Sequence, residues 1–229
     1  MKDLLSSPKK TFWNLPDAKR RRIEDALVLE FSTQGYKKAS LNTLVKGLGI
    51  AKGSLYQYFE NKEATFLFTF DRFTKLVKEM VGKPAMADSG GDDFWALVRR
   101  TFLAGVAFID KFPSYFQLYL NTLFEQDVPR REEIIRRVRL FPMEYFTPLV
   151  QRGQRQGVIR PEVSVPVAVF MIGAVLDRFL QGYARSYLDD GLGLAAKSRP
   201  ELLAEVDAML DILQAGLGEG GVKGKFVNF

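Results

Sequence analysis

Apolar residues return along this chain mostly at intervals of three and four, the spacing of one face of an α-helix. From Asp17 onward, Ile23, Ala26, Leu27 and Phe31 form a single stripe, and Gly35 marks where that helix should end. Ser40 can cap a second helix in which Leu41, Leu44, Val45 and Leu48 repeat at i, i+3, i+4 and i+7, and Gly49 breaks it after about two turns. A third short helix, near 51–58, buries Leu55 and Phe59 and leaves Lys52, Ser54, Gln57 and Tyr58 for its outer side. Past Asn61, the residues Phe66, Phe70, Phe73, Leu76, Val77 and Met80 keep the helical period to about residue 81, and the Gly- and Asp-rich stretch 84–93 predicts a loop. Further helices are predicted over 92–110, 115–125, 130–152, 166–188 and 200–217, with Gly or Pro at nearly every junction. No strand-like alternation persists, so the fold class is all-α.

Composition narrows what such a chain does. Its 229 residues are 47% hydrophobic, enough for a substantial core in one domain or two. It has no Cys and no His. The usual zinc and haem ligand sets, thiol nucleophiles and His-dependent triads are therefore excluded, and no metal or cofactor is expected. No carboxylate pair or Ser/Lys arrangement stands out, which disfavours an enzyme. Residues 1–15 hold no continuous apolar run of the kind a signal peptide needs. The most apolar later stretch, 163–176, contains Pro166 and runs into Asp177 and Arg178, which reads as short of a membrane span. A soluble, cytoplasmic protein with no membrane partner is the expectation.

Charge divides the chain. Residues 1–62 carry 12 Lys and Arg against 6 Asp and Glu, so the entire net charge of +6 sits there; the remaining 167 residues carry 21 of each. A basic head of this kind suits phosphate. Two short helices joined by a glycine-containing turn and held by a longer helix form a helix-turn-helix arrangement, whose second helix has the size to enter a major groove. The segment Gly47-Leu-Gly-Ile-Ala-Lys-Gly-Ser-Leu-Tyr-Gln-Tyr-Phe-Glu-Asn-Lys-Glu63, preceded by Phe31-Ser-Thr-Gln-Gly-Tyr36, resembles the DNA-binding domain of the tetracycline-repressor family of bacterial transcription regulators. The resemblance covers roughly residues 20–68. It implies an N-terminal three-helix DNA-binding domain joined to a helical-bundle domain for ligand binding and dimerisation, with duplex operator DNA as a partner.

In that family the equivalents of Lys52, Gly53, Tyr56, Tyr58 and Lys62 commonly touch DNA; Ser54 and Gln57 have the chemistry to bond bases, and Ser40 and Thr43 complete the expected contact set. Gly53 costs its short helix about 1 kcal/mol of propensity. Either close approach to DNA or crowding between helices could explain it. One of Tyr56 and Tyr58 is expected to be a packing residue. Ala51 departs from the family pattern, which often has Ser or Thr there. The run Lys19-Arg-Arg-Arg22 reads equally as a phosphate contact or a solvated face. Residues 1–16 read as a polar tail whose Phe12 and Trp13 staple onto the next helix.

The boundary is placed at the start of the fourth helix, giving a DNA-binding domain of residues 1–62 with its arm and an effector-binding and dimerisation domain of residues 63–229. The segment 152–161 resembles the loop before the family's penultimate helix, which implies that the last two long helices dimerise as a four-helix bundle. Candidate interface residues are Phe170, Gly173, Ala174 and Phe179 on one helix and Leu203, Val206, Leu210 and Leu213 on the other, some of which must face the protomer's own core. Aromatics crowd the middle of the body, and rings there are ordinary core material. The resemblance implies an enclosed effector as well: an apolar or aromatic small molecule touching some of Phe70, Phe102, Phe116, Leu120, Phe141, Tyr145 and Met171. Arginines and glutamates alternating over 130–139 read as a salt-bridged exposed helix, and the tail from Gly218 fails as a phosphate loop because Glu219 and Phe226 stand where Gly and Ser or Thr are needed. The leading reading is a ligand-responsive repressor that binds a palindromic operator as a homodimer and is released by its effector. The alternatives are a helical enzyme and a membrane-surface protein that sets its basic end on anionic lipid.

Overall fold

Two early helices kink or stop at glycines because the backbone turns through positive φ there. Gly35 (φ 67°, ψ 175°) interrupts the run Asp17–Lys38, and Gly49 (φ 66°, ψ 31°) ends Leu41–Leu48. An L side chain clashes with its own backbone at such angles. The computed structural model describes residues 7–82 and 93–218. Apart from Asp93, the expected loop at 84–93 lies outside the described residues, as does the tail beyond Gly218.

The described helices run in the order α1 (Lys10–Trp13), α2 (Asp17–Lys38), α3 (Leu41–Leu48), α4 (Lys52–Tyr58) and α5 (Lys62–Val77), the last continued by a π-helical turn at Lys78–Gly82. Then follow α6 (Phe94–Lys111), α7 (Pro113–Phe124), α8 (Arg131–Arg155), α9 (Val165–Ala184) and α10 (Arg199–Leu217). Among the described residues there is no named strand, only an isolated bridge between Ile159 and Gly218. The fold is all-α. Two compact units form: one gathers Met1–Met80 with Phe108–Arg136, the other Val81–Ala107 with Arg137–Phe229.

In the first unit α5 is buried without interruption from Thr65 to Asp71. A helix buried all round needs neighbours on several sides, and α2 and α7 both pack on it while Phe12 of α1 reaches Phe68 with ring centroids 5.2 Å apart. The buried hydroxyls of Thr65 and Thr69 donate back to the carbonyls of Lys62 and Thr65, at 2.6 and 2.7 Å. Their polarity is thus satisfied without a partner helix. A polar group also sits among α2, α5 and α7: Arg72 Nε lies 3.2 Å from Glu24 Oε2 without the alignment of a hydrogen bond, and the Tyr115 phenol lies close to both charges. Burial pushes the Glu24 carboxyl up, against the pull of Arg72, and pushes the Tyr115 phenol up to about 12.

The end of α7 is seated on the kink of α2. Asn121 Nδ2 donates to the carbonyls of Ser32 at 2.9 Å and Phe31 at 3.3 Å, and Glu125 accepts from the Tyr36 amide at 3.1 Å. A Cβ built on Gly35 would overlap the Glu125 carboxylate. Lys37 pairs with Asp127 at 3.0 Å beside it. The kink leaves backbone groups of α2 without helical partners, and α7 supplies some of the missing ones.

The second unit has one continuous core in which Phe102, Phe146, Val150, Ile172 and Val206 are almost fully buried. Helix α6 comes close to α9 at Gly105, where a Cβ would meet Leu180 Cδ1 at 2.7 Å. Helix α8 continues through Pro148 as far as Arg155, three residues beyond the predicted end. Helix α9 ends at Ala184 rather than near 188, and Ser186–Leu188 forms a 3-10 turn.

Two expectations change here. Pro166 stands in the first turn of α9, where its missing N–H breaks no helical bond. The helix is therefore uninterrupted, and by length and composition alone it is long and apolar enough to cross a membrane, with mean hydropathy 1.5. Only 28% of that window is buried, which leaves an apolar stripe of Val167, Phe170, Met171 and Ala174 exposed. The second change concerns the expected interface residues. Phe179, Val206, Leu210 and Leu213 are at most 6% exposed because they fill the protomer's own core, and Leu203 is half-buried. Gly173 is half-buried too, whereas Phe170 is 67% exposed and Ile212 74%.

Candidate nucleic-acid interface

Helix α3 is held by its own ends. Ser40 Oγ accepts from the Thr43 amide at 3.3 Å, as its position before the apolar repeat predicts, and Gly49 closes the C-terminus. Thr43 is exposed and Ser40 half-buried. Helix α4 follows after three residues and is poorer in local signals. Ala51 gives it no side-chain cap, and its seven residues include Gly53. Leu55, Tyr58 and Phe59, at 1%, 6% and 2% exposure, fix its inner face. Gly53, Tyr56 and Gln57 are exposed and Ser54 is half-buried. The side chain of Lys52 lies outside the described residues.

Gly53 separates the two readings its sequence position left open. A Cβ built there meets nothing within 4 Å. No neighbouring helix demands a glycine, so its propensity cost of about 1 kcal/mol is unexplained by the folded chain alone.

Two expected DNA contacts are placed differently. The Tyr58 ring packs 6.1 Å from Phe12 and is nearly fully buried, so Tyr58 is the packing tyrosine of the pair and Tyr56, 40% exposed, is the outward one. Lys62 is half-buried; its ammonium donates to the Lys37 carbonyl at 3.2 Å and sits 4.8 Å over the Tyr36 ring. Burial lowers its pKa, while Glu30 pulls the other way. It joins α5 to the end of α2 in addition to any phosphate it meets. Asn61 caps α5 by accepting from Ala64 at 2.8 Å.

The basic run on α2 divides as well. Arg20 pairs with Asp17 at 2.6 Å and lies 5.8 Å over the Trp13 ring, and Arg22 donates to the Leu48 carbonyl at 3.4 Å. Lys19 and Arg21 are exposed. Residues 7–16 are not a frayed tail: Phe12 is fully buried, and Lys9 and Thr11 bond to the backbone of α4. Only the aromatics Phe12 and Trp13 signalled this in the sequence.

The expected effector residues are core in the structure. In the first unit Phe70, Phe116 and Leu120 are buried; Phe70 stacks edge-on with Phe73 at 5.3 Å, and Phe116 lies 5.6 Å from Tyr119. In the second unit Phe102 lies 5.5 Å from Phe179, and Tyr145 lies 5.2 Å from Phe146. Met171 is 42% exposed on the α9 stripe instead of enclosed. The side chain of Phe141 lies outside the described residues. Arg130 and Glu133 pair at 2.6 Å at the start of α8, an i, i+3 link of the expected kind. Among the described residues no three acidic side chains converge as a metal cage would require.

Residues 23–67 match the family described as bacterial regulatory proteins, tetR family. Over 147 residues, 62% of this chain and 73% of the relative, the sequence is 26% identical to an uncharacterized HTH-type transcriptional regulator, YhgD, of Bacillus subtilis (strain 168). The structure of a TetR family transcriptional regulator from Chloroflexus aurantiacus J-10-FL superposes with a TM-score of 0.73 at 27% identity, covering 93% of this chain and all of that one. The transcriptional regulator FadR from Bacillus subtilis, in complex with stearoyl-CoA, shares the fold with a TM-score of 0.67 at 18% identity over 89% and 99% of the two chains. Residues 23–67 thus carry the helix-turn-helix head described for the tetR family of bacterial regulatory proteins, and along nearly its whole length the chain shares the architecture of a TetR family transcriptional regulator.

Proposed function

We propose that the protein binds a palindromic duplex operator as a homodimer, represses from it, and is released by an apolar or aromatic small molecule. The observation that carries the DNA half is Gly53, open to solvent on the outward face of α4. On this reading residues 1–62 read DNA and residues 63–229 sense and dimerise, in the cytoplasm. Ser54, Tyr56 and Gln57 face base edges, with Lys52 beside them. Ser40 and Thr43 at the start of α3 meet the backbone, and Lys62 supports the site from the N-terminus of α5.

Dimerisation is assigned to the exposed stripe Val167, Phe170, Met171 and Ala174 of α9 with Ala204, Ala208, Ile212 and Ala215 of α10. Four apolar positions at helical spacing on each of two packed helices are what a four-helix seam needs. Such a dimer must hold its two α4 helices about 34 to 36 Å apart to enter successive major grooves.

Release requires an effector that binds one spacing better than the other. Helix α7 is the suitable lever, because Phe116 and Leu120 share it with Asn121 and it ends against Glu125, and these two grip the kink of α2. An effector displacing Phe70, Phe116 or Leu120 moves that grip. The stearoyl-CoA held by the Bacillus subtilis neighbour supports an acyl thioester as the first class to try.

Selection of bound sequences from random duplexes, repeated across salt, tests the proposal. It should return a palindrome whose binding weakens on addition of long-chain acyl thioesters. Binding that is salt-sensitive but without sequence preference removes the operator reading. A palindrome bound equally with every compound tried leaves the operator and removes the effector class.

A further inference from the structure

Helix α4 is the weakest helix of the head by its own means. It has seven residues, an internal glycine and no N-terminal side-chain cap, and helices of that length do not persist alone. Its C-terminal carbonyls are nonetheless all satisfied. The Leu55 carbonyl accepts from the Phe59 amide at 2.9 Å, as a helix end normally allows. The other three are served from residues 9 and 11. Lys9 Nζ donates to the Tyr56 carbonyl at 2.8 Å, Thr11 Oγ1 donates to the Gln57 carbonyl, and the Lys9 amide donates to the Tyr58 carbonyl at 2.9 Å. Phe12 then plugs the seam, fully buried against Tyr58, Phe59 and Phe68.

We propose that residues 7–14 are a built-in C-terminal cap for the recognition helix, and that Lys9 and Thr11 are positioning residues for base preference. The bonded carbonyls belong to Tyr56 and Gln57, two of the outward residues of α4. Fixing those peptide units fixes where the side chains start, and a base-edge hydrogen bond tolerates only small errors in that origin. The positive ammonium of Lys9 also stands where a helix C-terminus favours a cation. This segment lies upstream of the 23–67 match, so the matched domain does not include its own cap. The inference rests on α4 being the base-reading helix.

Full-length Lys9→Ala/Thr11→Ala is the test variant, because both side chains are exposed and Phe12 remains to hold the head together. Hydrogen exchange without DNA should show the amides of residues 56–59 exchanging faster, on the order of tenfold, with the rest of the head unchanged. Sequence selection should show relaxed preference at the base pairs that Gln57→Ala also relaxes, and Lys9→Arg/Thr11→Ser should restore it. Unchanged exchange in α4 overturns the cap. Uniformly weaker binding with intact preference overturns the positioning role. If Gln57→Ala leaves preference untouched while exchange rises in the arm variant, the base-reading assignment of α4 has failed and the positioning role falls with it, leaving only the cap.

Discussion

Helices α4 and α10 stand at opposite extremes of self-sufficiency. Helix α10 spans 19 residues and starts with a reciprocal box in which Glu201 accepts from the Ser198 amide at 2.8 Å and hydroxyl at 2.6 Å. It buries a full stripe of Leu202, Val206, Leu210, Leu213 and Leu217. Helix α4 has seven residues, no N-terminal side-chain cap, and C-terminal carbonyls held by residues some 46 positions earlier. A helix whose work is packing can carry its stability in its own sequence. A helix whose outer face is reserved for another molecule has little left for local stability, and neighbours supply it.

The sharpest way to break this contrast is to remove what α4 borrows. Phe12→Ala should cost about 3–5 kcal/mol of stability, the range for emptying a buried aromatic site. Urea unfolding is the measurement; a loss below about 1 kcal/mol would show that the arm does not support the head as its burial implies.

The junction of α2 and α7 comes next. Gly35→Ala should cost about 1–3 kcal/mol, because φ of 67° is strained for alanine and the new methyl meets the Glu125 carboxylate. In a Glu125→Ala background the same change should cost less, since the carboxylate is gone and only the backbone strain remains. Equal costs in both backgrounds would contradict the seating of Glu125 on the kink.

The smallest expected effect is in the second unit. The hydrogen bond from Arg99, 2.5 Å from Nε to Oδ1, holds the Asp207 carboxyl below the usual aspartate range. Its stabilisation is present above the ordinary aspartate value and is lost as pH falls through the depressed one. Both side chains are more than a third exposed, so screening limits Asp207→Asn to roughly 0.5 kcal/mol at neutral pH. Denaturation midpoints of variant and parent should converge as pH falls; a gap that persists in acid would assign the effect to packing instead.

What the sequence made legible follows the same division. Periodicity and caps placed the helices: Ser40 and Asn61 cap as their positions suggested, and Gly35 and Gly49 turn the chain. Long-range polar bonds were invisible. Lys9 and Thr11 bond backbone carbonyls some 46 residues away, and no local pattern encodes such a contact. Exposure on α9 was also ambiguous, because a helix apolar around most of its circumference offers no polar face to orient it. That is why periodicity alone does not sort Phe179 from Phe170 among the interface candidates, and the structure buries one and exposes the other. Tyr56 and Tyr58 were inseparable for a related reason: two residues apart on a two-turn helix, they differ only in which side meets Phe12.

Gly53→Ala tests the central claim, that α4 holds a glycine for DNA and not for itself. In free protein the added methyl enters open space, so unfolding should show a gain of about 0.5–1 kcal/mol. On the duplex recovered by selection, the same variant should lose affinity at least roughly tenfold, which is about 1.4 kcal/mol. A more stable protein that binds its operator less well is the expected result; a variant that is more stable and binds as tightly as the parent would contradict the account.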